Sequence, residues 1–233
     1  MRIIDRETSK VVAGFGSTTR ANARLLRLTR SGLLRRFFVG SVASGRMAVY
    51  TLSSKGAALV SSQMDVIARS SERLIVGDRF VEHQSLINRI YVAVKYQPPE
   101  AIRMHRWLAF RRPLSEAVKL KPDGYFELQA GESVRPMFLE VDLGTEALKV
   151  WQQKTAAYLH MAVSGEFQRL FRQPQFRVLV VANSEQRLKH IRATVAKHTD
   201  KIFWFCTFES IKHHGFWSPG WLRPTGNQRH GLL

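Results

Sequence analysis

The stretch FLEVDLGTE, residues 138 to 146, places Glu140 and Asp142 two positions apart in a strand-like run, turns at Gly144 and adds Glu146. On a strand, side chains two apart leave the same face, about 6 to 7 Å from each other. Hard carboxylate oxygens at that spacing suit Mg²⁺ or Mn²⁺. An ion held there would activate water and neutralise the charge that builds on a phosphate under attack. The plain alternative is a pair of strand-end carboxylates tied up in salt bridges, because acid pairs alone carry little information.

These acids belong to a strongly basic chain. Of 233 residues, 36 are Lys or Arg and 18 are Asp or Glu, a formal charge of +18, with a sequence pI near 10.9. That balance is the footprint of a polyanion binder, with DNA the first expected partner. Residues 1 to 60 alone carry eleven basic and two acidic side chains, so half of the excess sits in about a quarter of the chain. A single cysteine, Cys206, rules out an internal disulfide and a thiolate cluster and fits a reducing cytoplasm. No apolar run approaches a membrane span, so no membrane partner is expected. MRIIDRETSK lacks the apolar core of a signal peptide, and a cytoplasmic location follows as the expectation. There is no Gly-rich phosphate loop, and no Ser, Cys or Tyr stands where it reads as a nucleophile.

The elements that would position these residues fall into two styles. In STTRANARLLRLTRSGLLRR, Ser17 or Thr18 caps a helix that sets Ala21, Leu25 and Leu28 on one face and Arg20, Arg24 and Arg27 on another, and Gly32 ends it. RRFFVGSVASGRMAVYTLS reads as a hairpin and SSKGAALVSSQ as a further helix. Helix, hairpin, helix is the order of a winged helix-turn-helix, here over residues 1–62, with the first helix of that module missing or very short. Docked in a major groove, it would place Thr18, Thr19, Arg20, Asn22 and Ala23 near base edges and Arg24, Arg27, Arg46 and Lys55 near phosphates. As a homodimer, such a module would read paired half-sites. The alternative is a helix whose arginines are merely solvated.

Residues 63–81 read as a polar connector, 82–212 as a second domain and 213–233 as a tail. Across 82–212 the pattern runs α-β-β-β-α-β-α-β, a mixed α/β sheet flanked by helices. His213-His214 reads as a solvated pair in a loop, and Trp217 and Trp221 as packing residues.

That order resembles the core of the PD-(D/E)xK nuclease superfamily, or restriction-endonuclease-like fold. The resemblance implies metal ligation by Asp123 of KPDGYFEL with Glu140 and Asp142 of FLEVD. The chain has EVD where the pattern has E-x-K. Lys154, on the following helix and sharing a face with Tyr158, stands as the substitute lysine, giving Asp123, Glu140, Asp142 and Lys154 as candidate catalytic residues. More closely, HQSLINRIYVAV, KPDGYFEL, FLEVDLGTE with the following KTAAYL, FRVLVVANSEQRLKHI and WLRPTGNQRHGLL resemble the replication-relaxation family of plasmids and other mobile elements. This resemblance implies a winged helix joined to a nuclease-like domain, a role in replication, relaxation or mobilisation of DNA, and other replication or mobilisation proteins as partners. It adds Thr145 and Glu146 as candidate positions, with His83 and Asn88 on the family pattern. The resulting expectation is a metal-dependent DNA nicking enzyme, or a non-catalytic DNA-binding regulator that uses the same scaffold as a platform.

Overall fold

Two capped helices open the fold. Asp5 accepts from the Thr8 N–H at 2.7 Å to start α1 (Arg6–Val12), and Ser17 accepts from Arg20 N–H at 3.2 Å to start α2 (Thr18–Arg30). The structure, a computed structural model, describes residues 3–40, 46–61 and 78–233. Its chain divides into two units, Met1–Val92 and Ala93–Leu233. The SVASG turn at 41–45 and residues 63–77 of the expected connector lie outside the described residues.

In the first unit, β1 (Ile4–Asp5) precedes α1, and α2 is followed by β2 (Leu34–Val39), β3 (Met47–Leu52) and α3 (Ser54–Ser61). The three strands pair antiparallel in the order β1-β3-β2. Gly32, at a left-handed φ of 72°, ends α2 as its position suggests. Gly56 is required by a close approach, since a Cβ there would lie 2.0 Å from the Leu33 carbonyl oxygen. The short helix expected before α2 is α1, with seven residues. Buried Asn88, on α4 (Asp78–Tyr96), donates to Ile3 O at 2.6 Å and ties β1 to that helix.

The second unit is a seven-stranded sheet, ordered β10-β9-β8-β7-β6-β5-β4. β4 (Ile102–Leu108), β5 (Gly124–Ala130) and β6 (Ser133–Asp142) are antiparallel, while β6, β7 (Arg177–Ala182) and β8 (Phe203–Thr207) run parallel. The apolar run VLVV of β7 and the run MFLEV of β6, interrupted only by Glu140, reflect burial on both faces of the parallel part. Tyr125, Phe138, Trp151, Tyr158, Val180 and Phe205 share one core, packed with α5 (Leu148–Val163) and α7 (Glu185–Ala196).

Four features differ from the sequence reading. α5 begins at Leu148 rather than Glu146, because Ala147 is its extended N-cap. A short α6 (Glu166–Phe171), entered through left-handed Gly165, buries Phe167 and Phe171. Residues in the expected tail contribute β9 (Trp221–Leu222) and β10 (Arg229–His230) to the sheet. His213 and His214 lie on α8 (Phe208–His214) rather than in a loop, with His213 Nε2 2.6 Å from Glu209. Trp221 is buried and its N–H reaches Phe216 O at 3.1 Å, which is the packing role expected of it.

Candidate functional site

Asp123 sits one residue before β5 and is held against β6 on both sides of Glu140. Its N–H donates to Leu139 O at 3.1 Å, and its Oδ2 accepts from Val141 N–H at 2.8 Å. Glu140 itself is 1% exposed. Its two carboxylate oxygens are taken by α5: Tyr158 OH donates to Oε1 at 2.6 Å and Lys154 Nζ to Oε2 at 2.9 Å. Lys154 also donates to both oxygens of Glu146, at 3.0 and 2.8 Å, and lies 5.1 Å over the Trp151 ring. The structure therefore brings Asp123, Glu140, Lys154 and Glu146 together, with Tyr158 beneath them.

The protonation behaviour follows from that crowding. Burial pushes Glu140 up to about 7, Lys154 opposes the rise and the neighbouring Asp123 charge adds to it. Burial would lower Lys154, but Glu140 and Glu146 outweigh it and raise the ammonium above its ordinary value. A lone ion pair would lower the acid while raising the base. Here both rise, because burial of Glu140 outweighs the pull of Lys154 with the Asp123 charge adding to it, while Lys154 gains from two carboxylates at once. Burial and then Glu140 hold the Tyr158 phenol well above its usual range, so it remains a donor.

Asp142 has a different fate. Arg187 clamps it bidentately, Nε to Oδ1 at 2.7 Å and Nη2 to Oδ2 at 2.8 Å, while Trp151 Nε1 donates to Oδ2 at 2.8 Å and Gly144 N–H to Oδ1 at 2.6 Å. Burial raises this carboxyl, but Arg187, Trp151 and Gly144 prevail and it ends below its ordinary value. Four donors occupy its oxygens, which leaves it poorly suited to ligate an ion. Gly144, at φ 81°, turns the chain directly beneath, with the Asn183 side chain 3.3 Å from where a Cβ would stand. Arg187 Nη2 also donates to Glu146 O at 2.5 Å, so the clamp fixes the loop that carries Glu146. Thr145 is exposed on that loop.

Among the described residues no group of three or more His, Cys, Asp or Glu side chains converges to hold a metal. The three-carboxylate cage expected of Asp123, Glu140 and Asp142 is not assembled. The narrower pair, Asp123 with Glu140, has the donor chemistry of Mg²⁺ sites, which commonly use one or two carboxylates and complete the shell with water and substrate phosphate. Its raised acid is also the electrostatic mark of a place where added positive charge is favoured.

In the first unit, α2 buries Ala21 and Leu25 and half-buries Leu28, so the expected apolar face is present. Thr19, Arg20, Asn22, Ala23, Arg24 and Arg27 are exposed, whereas Thr18 is half-buried in the first turn. Arg46 is exposed before β3, and exposed Lys55 donates to Ser31 O at 3.1 Å, which ties it to the end of α2. The sequence reading missed Arg35 and Arg36, exposed on β2 with their guanidiniums 5.4 and 5.1 Å from the Phe37 and Phe38 rings. In the second unit it missed Arg187, whose bond to Asp142 spans 45 positions with no local pattern to announce it. Among the described residues no helix is long and apolar enough to cross a membrane.

A model of a family described as replication-relaxation matches residues 7–172, well over half of the chain. That span takes in both the α2 face and the Asp123, Glu140 and Lys154 cluster. No curated protein and no solved structure matches the chain.

Proposed function

The chain belongs to the replication-relaxation family, and on that premise we propose that it is a DNA-binding protein of a plasmid or other mobile element that nicks DNA. The first unit acts as a winged helix-turn-helix. Its support is the α1-turn-α2 pair followed by the β2–β3 hairpin in a β1-β3-β2 sheet, with α2 presenting Arg20, Arg24 and Arg27 outward. The second unit acts as a nuclease-like domain, supported by three antiparallel strands leading into a parallel pair, with the acids where the start of β5 lies beside the end of β6.

The observation that carries the catalytic reading is the placement of Asp123 beside buried Glu140, with Lys154 Nζ 2.9 Å away. Asp123 and Glu140 would hold Mg²⁺ or Mn²⁺, which when bound supplies an activated water and charge neutralisation at the phosphate. Tyr158 keeps the Glu140 carboxylate oriented through its hydroxyl. Lys154 brings a fixed cation to the same place, positioned for the charge that develops on a phosphodiester, and Glu146 holds it there. Asp142 serves through Arg187 as the anchor of the 143–147 loop.

Incubating supercoiled plasmid with the protein and Mg²⁺ or Mn²⁺ tests this. Nicked circles are expected from the parent, and Asp123→Ala or Glu140→Ala is expected to lose at least 100-fold, on the order of the loss when a charge-stabilising group is removed. Nicking by those variants at the parental rate would end the catalytic reading.

A second reading, a non-catalytic regulator on the same scaffold, draws on one observation: both oxygens of Glu140 already carry hydrogen bonds from the protein. It expects no nicked circles at all and full DNA affinity in Glu140→Ala.

A further inference from the structure

On β6 the side chain of residue 135 leaves the sheet face opposite to that of Glu140, five positions and about 16 Å away along the strand. Around it the second unit gathers positive charge. Arg135 of β6, Arg177 of β7 and Arg223 just after β9 are each half-buried. Arg177 and Arg223 lie over the ring of Trp204 on β8, 4.7 and 4.6 Å from its centroid. Each guanidinium uses one Nη on a backbone carbonyl: Arg135 and Arg177 on Leu232 O at 3.4 and 2.6 Å, Arg223 on Asp200 O at 3.0 Å. Arg192 braces the group from α7, its Nε 2.9 Å from Arg223 O.

The cluster is short of negative charge. Among the described residues none of the three arginines forms an ion pair, and the Asp200 carboxylate acts on Arg223 only at a distance. Burial lowers Arg177, and the charges of Arg135 and Arg223 lower it further. The Trp204 N–H, in a residue 9% exposed, has no hydrogen-bond partner. Half-burying like charges with nothing opposite them is unfavourable unless an anion completes the site. Several planar guanidinium forks, stiffened against an indole and by backbone carbonyls, match the oxygens of a phosphate better than the two of a carboxylate. The neighbourhood agrees, since residues 173–233 hold nine Lys or Arg against three acids. Most of the cluster also lies beyond the span that matches the family, 7–172.

We infer that Arg135, Arg177 and Arg223 form a phosphate-binding cluster through which the second unit grips the backbone of DNA, apart from the Asp123 and Glu140 site. The inference rests on the DNA-binding reading given above.

Fluorescence anisotropy of the full chain on a labelled random-sequence duplex, titrated at several salt concentrations, tests it. Replacing all three residues by Gln should lower the slope of log affinity against log salt by about 2 to 3 and weaken binding roughly tenfold or more near 0.1 M salt. Replacing them by Lys should retain most of the slope. In unmodified protein, duplex DNA should protect Arg177 and Arg223 from phenylglyoxal, a readout that no misfolded variant can confuse. If the Gln variant keeps the parental slope and DNA gives no protection, while Arg20→Glu, Arg24→Glu and Arg27→Glu together abolish binding, the cluster is overturned and the DNA reading stands. If the parent does not bind duplex DNA, both fall. Protection by polyglutamate but not by DNA would overturn it in favour of an acidic protein partner.

Discussion

The arginines of α2 and the cations beneath Glu140 and Asp142 are the same chemistry put to opposite uses. Arg20, Arg24 and Arg27 stand exposed on a helix held by the burial of Ala21 and Leu25. The Arg187 and Lys154 side chains are only 14% and 17% exposed; Lys154 is held by the Glu140 and Glu146 carboxylates, and Arg187 by the Asp142 carboxylate and the Glu146 carbonyl. Exposed charges carry little stability and keep their reach for a ligand. Buried ones fix geometry, and each depends on its partner. The sign of a residue therefore predicts less about its role than what burial has set opposite it.

The comparison is broken most directly at Arg187. Arg187→Ala leaves the buried Asp142 carboxylate with only Trp151 and Gly144 as donors and should cost about 3 to 5 kcal/mol. All five tryptophans, at 107, 151, 204, 217 and 221, fall in Ala93–Leu233, so urea unfolding followed by tryptophan fluorescence reports this unit alone. A midpoint unchanged by Arg187→Ala would mean that the clamp is no more costly to lose than a surface pair.

Glu140 sharpens the comparison through pH. Its carboxyl is raised from 4.5 to about 7, so the folded state holds a proton that the unfolded chain releases. The associated stability is complete below about 4.5 and is lost as pH rises through 7, a change of up to about 3 kcal/mol. Glu140→Gln cannot titrate, so relative to the parent it should gain stability between pH 5 and pH 8. Mn²⁺ at pH 8 should stabilise the parent and not the variant. A parent-to-variant difference that stays flat with pH would show that Glu140 ionises like an exposed acid.

Much of this was readable in the sequence, and the gaps have physical causes. Ser17 followed by a 3.6-residue apolar period announces α2 because cap and stripe are local signals. The doubly buried strands announce themselves as unbroken apolar runs. β9 and β10, two residues each, carry no period at all and exist only because β8 offers an edge to pair with. The fate of Asp142 was hidden for a similar reason: strand alternation places it on the same face as Glu140, but Arg187, which decides its role, lies 45 residues on. Lys154 was readable since one helical turn sets it in line with Tyr158, and both reach Glu140.

The smallest expected change in stability comes from α2, and its smallness is informative. Replacing Arg20, Arg24 and Arg27 by Ala removes no ion pair among the described residues and introduces the best helix former, so each site should shift stability by less than about 0.5 kcal/mol. The tryptophan signal is silent for this unit, so far-UV circular dichroism is the measure to use. The same variant should bind duplex DNA much more weakly, with a salt slope reduced by roughly 1 for each lost phosphate contact. Full affinity together with a large loss of stability would invert the assignment. It would mean that these arginines hold α2 in place, and that the DNA contact of the first unit belongs instead to Arg35, Arg36 and Arg46 of the hairpin.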